Sequence, residues 1–367
     1  VDLAAVPADS AALVETAASA KVPTDLFWQR LLAAEVSPAK GRALIEELGP
    51  LGVGAADALL QHPVLTDGER RRAVSASREA LHRGLAHGVS VLTESDYPEL
   101  LTESVGMSPA LYLHGNASCL AAPTIAIVGT RSASTYGKAC AHKFAEAFGR
   151  AGVTVVSGGA LGIDAAAHKG ALEGGGRTVA VLAAGVDNVY PAVHAGLFNQ
   201  IQQSGCLMSQ FALGTKPSDY KFLVRNALIA AVSLAVVVIE APTKSGAIRT
   251  AQHAAELGRA VFVVPGDVDR LTFRGSFGLI RDGATLVSHP DEVMEELGIE
   301  PVAPVTEAAP PTSVGERILA VLTTNPLATE LIVERSGLDT AEVLAELTML
   351  ELDGRVLRDS GGYALRP

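Results

Sequence analysis

The chain has 367 residues, 48% hydrophobic and 19% charged, with a net charge of −11, enough for two or three domains and a sizeable core. No apolar run approaches the ~18 residues of a membrane helix, and the opening VDLAAVPADSAALVETAASA lacks the basic start and long apolar stretch of a signal peptide. The three cysteines, Cys119, Cys140 and Cys206, are too few and too scattered along the chain for a disulfide framework or a zinc site, so a reducing cytoplasm is the expected location.

After a tail at residues 1–20, the region 21–115 reads as a helical domain, through DLFWQRLLAAE, GRALIEELG and REALHRGLAHG. Within it, GPLGVGAADALL contains the Gly-Val-Gly of a helix-hairpin-helix phosphate grip, but such triplets are common and a helix connector is the preferred reading. GERRRAVSASREALHR sets Arg70, Arg71, Arg72, Arg78 and Arg83 in one helical stretch. A solvated face is the default there, with a DNA-guiding role as the alternative.

Residues 116–298 change character. Short Val/Ile/Ala runs alternate with helical stretches: TIAIVG, VTVVSG, TVAVLA, CLMSQF, LAVVVIE, AVFVVPG and ATLVS. Apolar runs separated by helices predict a parallel sheet covered on both faces. The expected fold is α/β, a Rossmann-like, doubly wound, mostly parallel sheet, whose ligands sit beyond the carboxyl ends of the strands. Charge follows the same division. Residues 1–119 carry −6, residues 120–300 carry zero and residues 301–367 carry −5, so the middle segment escapes the acidic bias and its cations can gather on one face.

The turns at the strand ends hold the chemistry. GTRSASTYGKA is not a P-loop, because Gly129 and Gly137 are too far apart and Ala139 stands where a magnesium-binding hydroxyl is needed. Nor is it the dinucleotide fingerprint. Arg131, several hydroxyls and free amides at a helix start suit an anion without saying which one. SGGALGIDAAAH brings Ser157, Gly158 and Gly162 ahead of a helix whose Asp164 reads as a charge complementing the dipole. EAPTKSGAIRTAQHA offers Lys244, Ser245 and Gly246, and VPGDVDR offers Pro265 and Gly266. KFLVRNALIA differs, since Lys221, Phe222 and Arg225 mix cations with an aromatic. A single strand asks for such a mixture, although a core Phe222 and a paired Arg225 fit the same letters.

Taken in order, IAIVGTR…YG, VTVVSGGALGIDAAAHKGAL, TVAVLAAGVDNVYP, FLVRNALIA, EAPTKSGAIRTAQHA, VFVVPGDVD and RGSFGLIRDGATLV resemble the DNA-processing protein DprA/Smf family. The resemblance runs over roughly residues 85–298, and GVSVLTESDYPELLTESVGMSPALYLHGN resembles the family's lead-in to its Rossmann-like domain. It implies a single-stranded DNA-binding protein that helps load RecA recombinase on incoming DNA in natural transformation. It also implies a homodimer formed through the Rossmann-like domain, no catalytic residues, no cofactor and no metal. The implied flanks are a SAM-like helical domain and a winged-helix-like domain.

Carried over residue by residue, the implied DNA groove comprises Gly129, Thr130, Arg131, Ser157, Gly158, Gly162, Lys221, Phe222, Arg225, Asn226, Lys244, Ser245, Gly246, Pro265 and Gly266. Leu279 and Ile280 are candidates for the dimer contact. Four positions depart from the family's pattern. Leu161 and Ala227 replace arginines, Leu223 a proline and Phe277 an asparagine. Two other functional classes stay open. One is a nucleotide phosphoribohydrolase-type enzyme on a related fold, whose P-G-G-x-G-T-x-x-E is missing here. The other is a structural adaptor that binds no DNA.

PVAPVTEAAPPTS ends a Pro-rich linker at 299–313. Residues 314–367 outline a winged helix of three short helices and the hairpin VLRDSGGYAL. Its third helix, TAEVLAELTMLELDG, contains Glu342, Glu346, Glu351 and Asp353 but neither Lys nor Arg. A helix that reads the major groove needs cations and bidentate donors, so a partner-binding or structural module is expected.

Overall fold

The computed structural model describes residues 26–49, 54–76, 78–102, 104, 108–299, 313–322, 326–359 and 362–365. The N-terminal tail, most of the Pro-rich linker and the Gly-Val part of the Gly-Val-Gly triplet lie outside these residues. Two compact units are present, residues 1–302 and 303–367. Among the described residues, no helix is long and apolar enough to cross a membrane.

The first unit is built on one nine-stranded sheet. Its strands are β1 (Val89–Thr93), β2 (Ala110–Gly115), β3 (Thr124–Val128), β4 (Thr154–Ser157), β5 (Thr178–Val181), β6 (Cys206–Ser209), β7 (Ala235–Val238), β8 (Ala260–Val263) and β9 (Thr285–Leu286). Their order is β1-β2-β6-β5-β4-β3-β7-β8-β9. β3 to β9 pair in parallel, whereas β2 runs against both β1 and β6. The seven apolar runs of the sequence are the seven parallel strands. They alternate between two cores. Ile125, Ile127, Val155 and Val237 face the helices Thr135–Arg150 and Ile163–Glu173. Ala126, Val128, Val156, Val236 and Val238 face the helices Asp219–Ala231 and Gly246–Glu256. Two-sided burial is why β3 to β8 read as continuous apolar runs, whereas Thr285 and Leu286 of the edge strand β9 are exposed.

The sheet begins earlier than the sequence reading placed it. β1 and β2 lie inside the stretch expected to be a separate helical domain, and the helices before them pack onto the sheet unit in a shared core. There Phe27, Leu31, Leu44 and Leu59 join Tyr112, Phe198, Ile201 and Leu213. Gln29 is fully buried at this seam. Its Nε2 donates to the Leu213 carbonyl at 3.1 Å, and its Oε1 accepts from the Leu213 amide at 3.1 Å and the Tyr112 hydroxyl at 2.8 Å. A buried amide side chain with three hydrogen bonds fixes an orientation that apolar contacts alone leave loose.

The arginine-rich stretch is two helices, Asp67–Val74 and Arg78–Ala86. Arg70 donates to the carbonyls of Leu60, His62 and Leu65, and Arg72 reaches the Ala34 carbonyl at 2.6 Å. Both arginines stitch helices together, Arg70 from a half-buried position, while Arg72 stays exposed like Arg71 and Arg83, so most of the stretch keeps the solvated face expected of it. Cys119 and Cys206, far apart in sequence, are buried with their sulfurs 3.6 Å apart, and all three cysteines are free thiols.

The second unit packs helices Val314–Val321, Thr329–Ser336 and Thr340–Leu352 around Ile318, Ile332, Val343 and Leu347. A hairpin of β10 (Val356–Asp359) and β11 (Gly362–Leu365) follows, and a bridge from Leu327 to Tyr363 adds a third short edge. Helix Thr340–Leu352 keeps Leu344, Met349 and Leu352 exposed beside its carboxylates.

Candidate nucleic-acid groove

The parallel strands all point their carboxyl ends one way, and the chain reverses direction across the sheet between β3 and β7. A crevice opens there, as it does at any switch point of an open α/β sheet. It forms a groove of about 290 Å³ whose walls include Gly129, Thr130, Arg131, Asn226, Lys244, Ser245 and Gly246.

The loop after β3 is held from below by Glu240, at the end of β7. The Thr130 amide donates to the Glu240 carbonyl at 2.8 Å. The carboxylate Oε2 accepts from the Ser134 amide at 3.0 Å and from the Ser134 hydroxyl at 2.7 Å. That hydroxyl in turn accepts from the Gly137 amide at 3.0 Å, capping helix Thr135–Arg150. Glu240 is fully buried, and its Oε1 has no hydrogen-bond partner among the described residues. The sequence reading missed Glu240. Its only signal was an acid closing the apolar run LAVVVIE.

The loop after β4 is tightened by Asp164, whose Oδ2 accepts from the Gly158 amide at 3.1 Å and the Ala160 amide at 3.3 Å. Burial pushes the Asp164 carboxyl above its ordinary range, and the nearby Arg225 charge opposes that shift. Gly162 has φ +80°, and a Cβ there would meet the Thr130 carbonyl oxygen at 2.4 Å. Only glycine lets the two loops touch.

Arg225 follows the paired reading of KFLVRNALIA, beside Asp164, and not the groove-cation role that the resemblance implies. It is 4% exposed, and its NH1 donates to the carbonyls of Gly158 at 2.6 Å and Val181 at 2.7 Å. Burial lowers its pKa to about 10, partly offset by Asp164, so it stays charged at neutral pH. Its guanidinium braces the turn and has little reach left for a ligand. The neighbouring Asn226 donates to the Gly246 carbonyl at 3.2 Å and fixes the next helix start. Lys221 is also committed elsewhere, to Glu35 at 3.3 Å. Ser157 and Gly158 are buried behind the groove, with the Ser157 hydroxyl donating to the Ile127 carbonyl at 2.7 Å.

What faces solvent is a smaller set. Arg131 is exposed, and its guanidinium carbon lies 4.5 Å from the centre of the Phe222 ring. Tyr190 packs beside that ring at a tilt of 51°, centroids 5.9 Å apart. Arg131, Leu161, Tyr190, Pro191 and Phe222 line a small cleft that shares Arg131 and Phe222 with the main groove. Leu161, in place of the family arginine, is about half exposed in this cleft and makes it apolar. Lys244 is exposed on the opposite wall, where Ser245 caps helix Gly246–Glu256 through the Ala247 amide. Tyr190 had no individual signal in the sequence.

Pro265 and Gly266 line a separate hollow beyond β8, with Tyr136, Asp267, Arg270 and Phe273. The four turns therefore form one groove and one neighbouring hollow. Leu279 is buried in the core and Ile280 packs against it, which fits core burial, the alternative to a dimer contact at these two positions. Among the described residues no group of His, Cys, Asp and Glu is placed to hold a metal.

The family model for DNA recombination-mediator protein A matches residues 88–298, and that for the DprA winged helix domain matches residues 301–362. The chain belongs to the DprA/Smf family. It is 35% identical to a putative DNA processing protein DprA of Mycobacterium tuberculosis, over 93% of this chain and 97% of that protein. Protein Smf of Escherichia coli is 34% identical over 83% of this chain and 86% of its own length. Among solved structures, DprA from Streptococcus pneumoniae matches with a TM-score of 0.63 and 29% identity, covering 73% of this chain and 95% of that one. DprA from Helicobacter pylori, described for its single-stranded DNA binding mode, matches with a TM-score of 0.53 and 28% identity, covering 57% and 95%.

Proposed function

We propose that this chain binds single-stranded DNA along the groove beyond β3 and β7, without strong sequence preference. As a homodimer in the cytoplasm, it would thereby help load RecA recombinase on incoming DNA in natural transformation and recombination. The observation that carries the reading is the exposed Arg131 guanidinium over the Phe222 ring, with the half-exposed Tyr190 beside it. A guanidinium makes two directed bonds to one phosphate, and a ring beside it offers a base a face to stack on. Membership of the DprA/Smf family and the similar Helicobacter pylori protein support the same ligand. Catalysis is not part of the proposal: the chain is expected to return ATP and nucleoside monophosphates unchanged.

Fluorescence anisotropy with labelled single-stranded and duplex DNA of equal length tests it, at two salt concentrations. The single strand should bind more tightly, with a log–log salt slope of about −0.7 per neutralised phosphate. Equal affinity for duplex, or indifference to salt, refutes the groove as a DNA site. RecA filament formation on coated DNA, with and without the protein, tests the loading step.

A further inference from the structure

We propose that the hollow beyond β8 is a second seat for a nucleobase of the same strand, stacked on Tyr136. This rests on the single-stranded DNA reading of the main groove.

The hollow measures about 450 Å³, and Tyr136 in its lining is 47% exposed. The ring is held in place before any ligand arrives. Its hydroxyl donates to the Pro265 carbonyl at 2.8 Å, and the ring leans on Phe273, centroids 6.1 Å apart and planes tilted by 59°. Phe273 can lie beneath it only because residue 266 is glycine, since a Cβ there would sit 2.3 Å from the Phe273 ring. Burial pushes the Tyr136 phenol up to about 12, so it remains a neutral donor to that carbonyl at physiological pH. A braced, half-open aromatic ring has lost its rotamer freedom in advance, which favours stacking. On the rim, Arg270 meets Asp267 at 3.5 Å with both side chains more than half exposed. Such a pair is weak and yields easily to a phosphate or base edge.

Position links the hollow to the groove. Tyr136 stands two residues beyond Ser134, the cap that Glu240 ties to the Arg131 loop. β8 neighbours β7 on the side away from β3, about 5 Å further along the row of strand ends. A strand leaving the groove past Arg131 and Lys244 in that direction meets Tyr136 next. The recognition chemistry is a π-face, which every base has, so the seat takes any single-stranded DNA.

The test uses the full chain and oligothymidylates, each with 5-iodouracil at one position, cross-linked by light and mapped by peptide mass. Substitution at one or two adjacent positions should link to the peptide carrying Tyr136. Tyr136→Leu should remove that cross-link and weaken binding of an oligomer of about 16 nucleotides fivefold or more. Binding of one of about 4 nucleotides, long enough only for the main groove, should stay unchanged. Tyr136→Phe keeps the ring and should bind like the parent, which separates stacking from the phenol's structural bond. Circular dichroism checks that the Leu variant folds; if it does not, the cross-link map on the parent decides alone. Parent-like binding of the long oligomer by folded Tyr136→Leu, while Arg131→Ala is impaired, overturns the second seat and leaves the groove standing. A parent that binds no single strand overturns both.

Discussion

The sheet unit and the winged-helix unit both have folds that bind nucleic acid, yet their surfaces offer opposite chemistry. Where the parallel strands end, Arg131 and Lys244 stand free beside Phe222 and Tyr190. The third helix of the winged unit shows solvent Leu344, Met349 and Leu352, flanked by Glu342, Glu351 and Asp353. A phosphate backbone is attracted by the first and repelled by the second. Fold class thus says little about DNA contact, and the placement of a few side chains says most.

The largest expected effect separates bracing from binding. Arg225→Ala removes a buried charge, leaves two carbonyls without their donor and strands Asp164, so unfolding by denaturant should show a loss of about 3 kcal/mol or more. In the winged unit Arg317→Ala removes one partly buried bond to the Ser336 carbonyl and should cost about 1 kcal/mol. Similar losses at both positions would break the distinction.

Next comes Arg131→Ala, which should weaken single-stranded DNA binding tenfold or more, about 1.5–3 kcal/mol for a charge-assisted bond. Arg131→Lys should recover only part, because a lysine lacks the planar fork. Arg358→Ala on the wing and Arg71→Ala on an N-terminal helix should stay within twofold of the parent. If Arg358→Ala proves as damaging as Arg131→Ala in a gel shift, the winged unit holds DNA after all.

Acid should also tell the two units apart. Burial holds His168 at about 3, with its Nδ1 2.7 Å from the Thr178 hydroxyl oxygen. The unfolded chain takes up that proton near pH 6.5, so the unfolded state binds one proton more between the two values. Stability of the sheet unit therefore falls as pH drops from about 6.5 towards 3, by about 1.4 kcal/mol per pH unit from this group. His168→Gln should flatten that part of the profile, measured by urea unfolding at a series of pH values. Residues 313–367 contain no histidine, and the winged unit should lack this component. The smallest effect is expected from Glu342→Gln with Glu351→Gln. Removing two carboxylates adds no donor fork, so affinity for single-stranded DNA should change less than twofold.

How much was legible depended on whether a residue's partner lay nearby in sequence. Parallel strands β3 to β8 were readable because burial on both faces leaves an unbroken apolar run, and the exposed edge strand β9 was readable from its β-branched letters alone. The winged helix was readable from its own short segments. Arg131 was readable because a loop directly after a strand has few places to send a guanidinium. Arg225 was not. A cation ahead of an apolar helix looks the same whether it meets solvent or the carbonyls of Gly158 and Val181, far back in the chain. Glu240 was hidden for the same reason, since its partner Ser134 lies across the switch point. The β1–β2 pair was misplaced because antiparallel pairing of β2 with β6 is settled by residues nearly a hundred positions downstream.

That antiparallel strand sets a limit on how the protein can be cut. A fragment begun at residue 116, where sequence alone suggests a domain start, would strip β6 of the strand bonded along one side. The N–H and C=O groups that β6 turns towards β2 would then form a bare edge next to the apolar surface left by Tyr112 and Phe27. Open edges of that kind recruit strands from other molecules. Such a fragment should precipitate or pair aberrantly, whereas one that starts before residue 26 and stops in the linker keeps β6 covered by β2.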